Sequence, residues 1–455
     1  MSITSPLSRL SHRTRDFGTA IAIGIIAFAL RLWHLASIKG FIFDEVYYAK
    51  DAHSLLLHGV EIDSAKNTAA FVVHPPVGKW LIATGIKLFG FNEFGWRISA
   101  AGIGTASIIL AYFTAKKLFD NYLLSTSAAL LILFDGLHLV HSRTALLDIF
   151  LMFFLQLTLF ALLHSKHWLT AIFLGLSLAT KWTGLYYIVA VFLFVLYVDY
   201  RAKRAAEIDL AARTTLIKDL PRRALQYLVL PLSIYVFTYA GWFFSDRGWS
   251  RHWADDHSSS LPFIPGVIRS WWHYQWEILD FHTSLTDAHP YSANPWSWLI
   301  LGRPTSFFYS TEAPCKAHDC AQEVLALGTP LLWWSLAIAF CVAIGMWIAK
   351  REWKLGLILL FVSAGYLPWF INQKRTTFYF YTIAFEPFLT LLLIYLVWLW
   401  FSNAKTPEIL RQRQYIWGAL LLLIALNFLY FLPLYLGTPI SHSAWNARMW
   451  LPNWI

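Results

Sequence analysis

The sequence contains few charged residues and few cysteines. Charged side chains make up 14% of its 455 residues, hydrophobic ones make up 58%, and the mean hydropathy is +0.51. Soluble domains carry about 25% charged residues, so this composition excludes an ordinary soluble protein. Of three cysteines, Cys315 and Cys320 share one polar loop, and Cys341 lies in an apolar segment. The pair could form a disulfide if its loop faces an oxidising compartment, or remain two free thiols. No second pair supports a metal site.

The standard nucleotide-binding and hydrolase motifs are also missing. The sequence has no Walker A loop, no GxGxxG after a strand, no HExxH and no GxSxG. Their absence argues against a nucleotide-binding domain. Any chemistry must then use a substrate that is itself in the membrane, unless the protein only transports.

Apolar segments of about 20 residues recur along the chain, which is typical of a polytopic helical membrane protein. Their positions predict about eleven membrane spans. The approximate limits are 18–38, 95–115, 121–138, 146–163, 168–182, 184–199, 225–244, 328–349, 355–371, 379–401 and 415–436. Aromatic residues, 18% of the chain with 24 Trp, suit membrane–water interfaces and grooves for sugars or lipid chains.

The basic residues lie mostly in short loops on one side of the predicted bundle. The positive-inside rule makes this side cytoplasmic, and it accounts for the net charge of +10 without a nucleic-acid partner. The basic N-terminus joins this side as an uncleaved first span, because its apolar run is too long for a signal peptide and no clear cleavage site follows. An odd number of spans then puts the C-terminus outside.

Two long segments face the outside in this topology of a single membrane domain, 1–455. Residues 39–94 contain FDEVYYAKDAHSLLLHG and HPPVGKWLIATGIKLFG, patterns typical of short amphipathic helices at the interface. Residues 245–327 are polar and rich in Trp and His, and we expect little regular structure there. A loop of that length without its own structure is usually functional.

Two adjacent acids, Asp44 and Glu45, begin the first external segment. A carboxylate there could abstract a proton from a hydroxyl group. It could equally form the solvated start of an interfacial helix, stabilised by the helix N-terminus. Arg31 lies roughly 10 Å before the outer end of the first span. A guanidinium at that depth must face protein or a wet cavity, or else snorkel to the interface.

Further cations are predicted at the external ends of spans. Arg97 follows FNEFGW, Lys181 lies at a tight turn, and Lys374 and Arg375 run against the positive-inside trend. A lipid phosphate would account for them, because Lys and Arg are its natural partners; contact with ordinary headgroups is the alternative. His74, fixed in a turn by two prolines, could bond a phosphate or sugar, or cap the next helix.

Aromatic and polar residues cluster in the second external segment, in the run HPYSANPWSW. His289, Tyr291, Trp296 and Trp298 could form a groove for a sugar or a peptide. Interfacial anchoring by the Trp residues is the alternative. The run HLVHSRTALLDIFL adds more charged groups at the end of a span, without an assigned role.

The order of these motifs resembles the protein O-mannosyltransferase family, in its actinobacterial branch. The similarity covers nearly the whole chain and rests on FDEVYYAKDA, HPPVGKWLIATGIKLFG, GWRISAAGIGT, RTALLDIFL, LSLATKWTGLY, HPYSANPWSW and FYFYTIAFEPFL. The family is similar in fold to other GT-C glycosyltransferases, all-α polytopic proteins with an external active site. The resemblance implies that Asp44 and Glu45 are the functional acids and that Arg31 and Arg97 are functional arginines. It also makes the HPY…W loop a contributor to acceptor binding.

The resemblance implies transfer of mannose from a polyprenyl (dolichyl-type) phosphate to Ser or Thr of exported proteins, with inversion at the anomeric carbon. We expect Asp44 to be the base, with Glu45 orienting the loop or pairing with Arg31, although the two acids could exchange roles. Basic residues would stabilise the departing phosphate.

Two other functions stay open at this point. The acceptor could be a cell-envelope lipid or glycan, or the protein could be a lipid transporter, although its charges gather on one face rather than at a midplane site.

We expect no required cofactor. Two acids could ligate a divalent metal, but the charge of a monophosphate donor needs less neutralisation by cations than that of a diphosphate.

Membrane lipids are expected partners, and an association with the secretion machinery is open. Residues 245–327 have no room for the soluble β-rich domain of eukaryotic relatives, which leaves acceptor selection open.

Overall fold

The computed structural model describes residues 6–258 and 262–455 of the chain. This part consists mainly of helices joined by short turns, with two small antiparallel sheets. In chain order, the α-helices are α1 Pro6–Leu32, α2 Glu45–His58, α3 Pro76–Phe89, α4 Glu93–Phe119, α5 Tyr122–Leu133, α6 Gly136–His141, α7 Asp148–Leu163, α8 His167–Leu178, α9 Gly184–Ala205, α10 Ala211–Thr214, α11 Leu220–Ala224, α12 Leu230–Thr238, α13 Ala240–Phe244, α14 Gly266–Ser284, α15 Pro330–Lys350, α16 Trp353–Tyr366, α17 Glu386–Ser402, α18 Pro407–Leu436 and α19 His442–Asn446.

Short helical turns and strands complete the described part. Two π-helical turns, Thr215–Asp219 and Leu225–Val229, join α10, α11 and α12. The 3₁₀ turns are Trp253–Asp255, Pro295–Ser297, Leu367–Phe370, Tyr379–Ala384 and Pro452–Trp454. The strands are β1 Ile62–Asp63, β2 Thr68–Ala69, β3 Thr305–Ser310, β4 Cys320–Ala326 and β5 Ile440–Ser441; β1 pairs with β2, and β4 lies between β3 and β5.

Five helices of the described ranges are long and apolar enough to cross a membrane: α4, α9, α15, α16 with its extension to Phe370, and α18. Four others, α5, α7, α8 and α17, are apolar but shorter. In the bundle α7 packs against α4 and α8, and α17 packs against α15 and α16. This architecture is that of a polytopic helical protein, and the number of eleven spans stays a prediction.

Two predicted spans end earlier than their hydrophobic patterns indicate. α1 ends at Leu32 because Arg143 donates hydrogen bonds to four carbonyl groups at its end, where cations are favoured. α5 ends at Leu133 because Asp135 accepts a hydrogen bond from the backbone N–H of His138 and begins a new helix, α6. The hydrophobic pattern alone does not show these capping contacts.

The first external segment contains both predicted short helices, α2 and α3. α2 buries Glu45, Tyr48, Ala49 and Ala52, which lie on one face of a helix. α3 begins at Pro76, where a missing backbone N–H costs nothing. The two helices pack together, and the hairpin of β1 and β2 joins them.

The second external segment has regular structure, so the expectation of little structure there is wrong. It contains the 19-residue helix α14 and the hairpin of β3 and β4, with which β5 pairs. Large side chains at Val267, Trp271, Tyr274 and Ile278 give α14 one face for packing, which accounts for a helix in an otherwise polar segment. A disulfide between Cys315 and Cys320 closes the hairpin, with an Sγ–Sγ distance of 2.00 Å. Cys341 is a free, exposed cysteine on α15.

Candidate active site

Asp44 lies directly before α2 and is half-buried. Its side chain caps no backbone N–H of that helix. Burial raises the pKa of Asp44 to about 6; the charge of Lys181 opposes this rise, that of Asp148 adds to it, and a hydrogen bond from Tyr48 opposes it. A carboxylate with such a pKa is suited to accept a proton near neutral pH.

The backbone directly before Asp44 has a strained conformation. Phe43 has a φ of 48°, in the left-handed region that large side chains rarely adopt. Its ring stacks on Phe307 of β3 at a centroid distance of 4.4 Å and meets Phe380 edge-on at 5.3 Å. The hairpin of the second external segment therefore holds the turn that directs Asp44.

Glu45 faces away from Asp44 and pairs with Arg97. The guanidinium of Arg97 donates to both carboxylate oxygens of Glu45, at 2.8 and 2.7 Å. The backbone N–H groups of Ile42 and Ala145 also donate to Glu45, both at 3.0 Å. The predicted alternative in which Glu45 pairs with Arg31 is therefore wrong, and these contacts favour the other predicted role, in which Glu45 orients the loop.

Arg97 is almost fully buried, and the N–H groups of its guanidinium all donate hydrogen bonds within the protein, so none remains for a donor phosphate. Besides its bonds to Glu45, it donates to the carbonyl groups of Leu35, Ile38 and Gly40. These contacts join α4 to the end of the first predicted span. Of the two roles predicted for Arg97, phosphate binding or loop support, the contacts favour loop support.

Arg31 is fully buried between α1, α4 and α6. It donates to the carbonyl oxygen of Ala27 at 3.1 Å and to Nδ1 of His138 at 2.9 Å. Because Nδ1 of His138 accepts this bond, the ring proton is on Nε2, which donates to Oγ of Ser107 at 2.8 Å. Arg31 thus faces protein, and its contacts favour support of the bundle over phosphate binding.

Lys181 and Asp148 form a buried ion pair beside Asp44. Nζ of Lys181 lies 2.9 Å from both carboxylate oxygens of Asp148, and it also lies 5.0 Å from the centre of the Tyr381 ring. Asp148 begins α7, and Lys181 follows α8, which packs on α7. The pair fixes the ammonium group and leaves one of its three donors for a ligand.

Lys181, His74, His282 and Arg375 line one cavity of about 240 Å³. Its other walls include Trp182, Tyr186, Leu279, Trp369, Ile371 and Tyr381. Nε of Arg375 donates to the carbonyl oxygen of His282 at 2.9 Å, and its guanidinium lies 5.4 Å from the centre of the Trp369 ring. Two cations among apolar walls suit an anionic group carried on an apolar chain.

The two histidines of this cavity are neutral hydrogen-bonding groups. Burial lowers the pKa of His74 well below its usual value and the pKa of His282 to about 4, and the charges of Lys181 and Arg375 contribute to both shifts. Nε2 of His282 donates to the carbonyl oxygen of Val73 at 3.1 Å. Nδ1 of His74 is buried without a hydrogen-bond partner in the described part of the chain. This atom remains for a ligand.

Lys374 lies on a second cavity of about 240 Å³, whose walls include Asp287, Asn294 and Thr377. Arg375 lines both cavities, whereas Lys374 lines only the second of these two. Arg375 therefore lines the cavity of Lys181 and Lys374 does not, which favours Arg375 over Lys374 among the cations predicted at the donor phosphate.

The four residues of the HPYSANPWSW cluster do not share one groove. Nδ1 of His289 accepts a hydrogen bond from the backbone N–H of Tyr291, and Trp296 is 69% exposed with its edge against Phe370. Trp298 is fully buried, and its Nε1 donates to the carbonyl oxygen of Ala293. His289, Tyr291 and Trp296 can still meet an acceptor, whereas the role predicted for Trp298 is wrong because its ring is in the core.

The sequence analysis gave no site role to three residues that the structure brings to the site: Tyr48, Asp148 and His282. Tyr48 follows Asp44 by four positions, the spacing of neighbours on a helix, which is a usable signal. Asp148 is one of the charged residues in the run HLVHSRTALLDIFL, to which the sequence assigned no role. No local feature of the sequence indicates a role for His282, because its proximity to His74 depends on how α14 packs.

Solved membrane glycosyltransferases have a similar fold. An S. cerevisiae protein O-mannosyltransferase complex bound to the sugar donor matches with a TM-score of 0.80 at 14% identity, over 100% of this chain and 93% of that chain. ArnT from Cupriavidus metallidurans bound to undecaprenyl phosphate matches with a TM-score of 0.53 at 14% identity, over 93% and 70% of the two chains. The chain is a multi-pass membrane protein with the GT-C glycosyltransferase fold, and the predicted fold class is confirmed.

Sequence comparisons then define the family. The model of the dolichyl-phosphate-mannose-protein mannosyltransferase family matches residues 21–243, and that of the C-terminal four TMM region of protein-O-mannosyltransferase matches residues 267–454. Polyprenol-phosphate-mannose–protein mannosyltransferases are 32% identical in Mycolicibacterium smegmatis (91% of this chain, 87% of the relative) and 30% identical in Mycobacterium tuberculosis (99% and 93%). The chain belongs to the protein O-mannosyltransferase family. It is a mannosyltransferase, and the resemblance found in the sequence is confirmed.

Proposed function

We propose that this chain transfers mannose from a polyprenyl phosphate to Ser or Thr hydroxyl groups of exported proteins, with inversion. Its membership of the mannosyltransferase family supports the donor and the reaction. The observation that carries the mechanism is the position of Asp44. This acid has a pKa near 6 and lies near Lys181, which lines the cavity of cations and apolar walls.

The phosphate of the donor would bind in the cavity that Lys181 and Arg375 line. Both side chains are held in place by hydrogen bonds within the protein: Lys181 donates to Asp148, and Arg375 donates to the carbonyl oxygen of His282. Such fixed cations lose little conformational entropy when a ligand binds. Nδ1 of His74 can accept a hydrogen bond if the phosphate is protonated, or donate one in the other tautomer.

In the transfer step, the acceptor oxygen forms a bond to the anomeric carbon from the face opposite the phosphate. The bond from that carbon to the phosphate oxygen breaks, and its electron pair stays on the phosphate. The hydroxyl proton passes to Asp44. Lys181 and Arg375 stabilise the negative charge that grows on the phosphate, and a single such donor is typically worth about 10²–10³ in rate.

The active site would face the outside of the cell, with the N-terminus in the cytoplasm. The distribution of basic loops supports this orientation. Labelling of single cysteines with a membrane-impermeant thiol reagent on intact cells tests it. A label at position 289 without lysis supports the orientation, and a label there only after lysis contradicts it.

We also propose that catalysis needs no divalent metal. No group of three or more His, Cys, Asp or Glu side chains could hold a metal ion within residues 6–258 and 262–455. Glu45, moreover, is turned away from Asp44 towards Arg97. Turnover that survives EDTA supports this proposal. Loss of turnover in EDTA that Mg²⁺ or Mn²⁺ restores contradicts it.

The decisive experiment reconstitutes the protein in vesicles with labelled polyprenyl phosphate mannose and a peptide rich in Ser and Thr. We expect label on the peptide, and none on a matched peptide with Ala at those positions. Label on a membrane lipid or glycan would instead support an envelope acceptor, and label that crosses the bilayer without a covalent product would support transport.

An association with the secretion machinery would deliver unfolded acceptors, and its test is co-purification after crosslinking.

A further inference from the structure

Helix α14 of the second external segment carries an exposed apolar stripe. Ile268, Trp272, Trp276 and Leu279 are 44%, 66%, 61% and 37% exposed. Their spacing of four, four and three residues puts them on one face of the helix. The stripe includes two large aromatic side chains, and exposed apolar surfaces of this kind mark contacts with a partner or a membrane.

One side of the stripe borders the predicted span 225–244. Gln275 accepts a hydrogen bond from the hydroxyl of Tyr235, and the ring of Trp271 lies 5.8 Å from that of Tyr239. Tyr235 precedes the outer end of this span by nine residues, roughly 13 Å of helix. If residues 225–244 cross the membrane as predicted, α14 lies beside the outer part of this span rather than above it.

The other side of the stripe is polar and faces the external segment. Glu277 accepts hydrogen bonds from Nε1 of Trp249 and Oγ of Ser250, at 3.0 and 2.9 Å. The ring of His273 stacks on that of Trp253 at 4.2 Å. The stripe thus lies between the predicted span 225–244 on one side and a polar external surface on the other, as in a helix at a membrane–water interface.

We propose that α14 is an interfacial helix and that its stripe of Ile268, Trp272, Trp276 and Leu279 inserts into the outer leaflet of the membrane. The occupant of this surface is lipid, at the boundary between headgroups and acyl chains. Trp is enriched at this depth because its ring is apolar and its N–H is polar. The depth of Tyr235 favours this occupant over an acceptor protein or a second copy of the chain, which would meet a surface in water.

The inserted helix would also fix where the donor cavity opens. Leu279 belongs to the stripe and lines the cavity, and His282 and Thr283 of the next turn line it as well. The cavity mouth would then lie at the level of the lipid headgroups, so that a lipid-linked phosphate reaches Lys181 without leaving the membrane. This consequence, unlike the insertion itself, rests on the proposed function.

Spin labels on single cysteines test the insertion without any turnover. In a Cys341→Ser background, Ile268→Cys, Trp272→Cys and Trp276→Cys are labelled in lipid nanodiscs, and collisions with O₂ and with a water-soluble nickel chelate are measured. Asp280→Cys, which is exposed on the polar side of α14, serves as the aqueous control, and Ile338→Cys on α15 serves as the control in lipid.

We expect the three stripe labels to collide more with O₂ than with the chelate, and the label at position 280 to show the reverse. Stripe labels as accessible to the chelate as the label at position 280 would overturn the proposal. So would labels shielded from both reagents, which would indicate a protein partner. Because the readout is independent of mannose transfer, failure here is distinct from failure of the proposed function.

A kinetic measurement tests the link between the stripe and the cavity. The double variant Trp272→Ser/Trp276→Ser should raise KM several-fold for a long polyprenyl donor and leave KM unchanged for a short-chain, water-soluble donor. An equal rise for both donors, or no rise for either, would contradict a cavity mouth held at the lipid surface.

Discussion

Glu45 and Arg97 form a fully buried ion pair with two hydrogen bonds, 2.8 and 2.7 Å long, from Nε and Nη2 of Arg97. Glu45 follows Asp44 directly in the sequence, yet its carboxylate faces the interior while Asp44 lies near Lys181. The two adjacent acids therefore have different tasks. Glu45 holds the first external segment on the bundle through Arg97, whereas Asp44 is the acid that we propose as the base.

We expect removal of one partner of this pair to destabilise the protein strongly. Glu45→Met or Arg97→Met leaves an uncompensated buried charge, which typically costs about 3–5 kcal/mol. The measurement is the thermal unfolding temperature in detergent. The double variant should recover part of the loss, because no unpaired charge remains. Single variants as stable as the parent protein would disprove the structural role of the pair.

The pH dependence of the reaction should report Asp44. A base must be ionised, so kcat/KM should rise with pH around 6 and level off above it, since burial raises the pKa of Asp44 to about 6. Tyr48→Phe removes a hydrogen bond that lowers this pKa, so the midpoint should move to higher pH. A profile that is flat from pH 5 to 8, or an unchanged midpoint in the variant, argues against this assignment.

Lys374 and Arg375 are neighbours in the sequence and provide a matched comparison. Arg375→Met should lower kcat/KM by about 10²–10³, because this cation would lie at the donor phosphate. Lys374→Met should change it only a few-fold, since Lys374, unlike Arg375, does not line the cavity of Lys181. Initial rates at several donor concentrations measure both. Equal losses in the two variants are incompatible with the assigned cavity.

The contact of Phe43 with Phe307 should matter for rate. Phe43→Ala and Phe307→Ala each remove the stack that holds the left-handed turn before Asp44, so kcat should fall in both. Their effects should be non-additive, because both variants lose the same contact. A double-mutant cycle on kcat measures this coupling. Full additivity would show that the stack does not position Asp44.

Hydrophobic periodicity was sufficient to predict the helical bundle and the two short helices of the first external segment. It failed at α14, where the apolar residues are interrupted by polar ones that contact other parts of the external segment. It also failed at the ends of α1 and α5, because the caps from Arg143 and Asp135 come from side chains outside the apolar pattern.

The sequence indicated which residues of the site are polar, but not which way they face. Arg375 lines the cavity of Lys181 and the adjacent Lys374 does not, and Trp298 is buried although it shares a motif with exposed Trp296. His282 lies 5.3 Å from His74, ring centre to ring centre, across more than 200 positions of sequence. Such directions depend on tertiary packing, which residue spacing does not encode.

The most direct test of the account is the turnover of Asp44→Asn with labelled lipid donor and a Ser/Thr peptide. The amide has nearly the same shape as the carboxylate and cannot accept the proton, so we expect kcat to fall by about 10²–10⁴. Donor binding and the unfolding temperature should stay close to those of the parent protein. Near-normal turnover by a folded, membrane-inserted Asp44→Asn variant would contradict the assignment of Asp44 as the base.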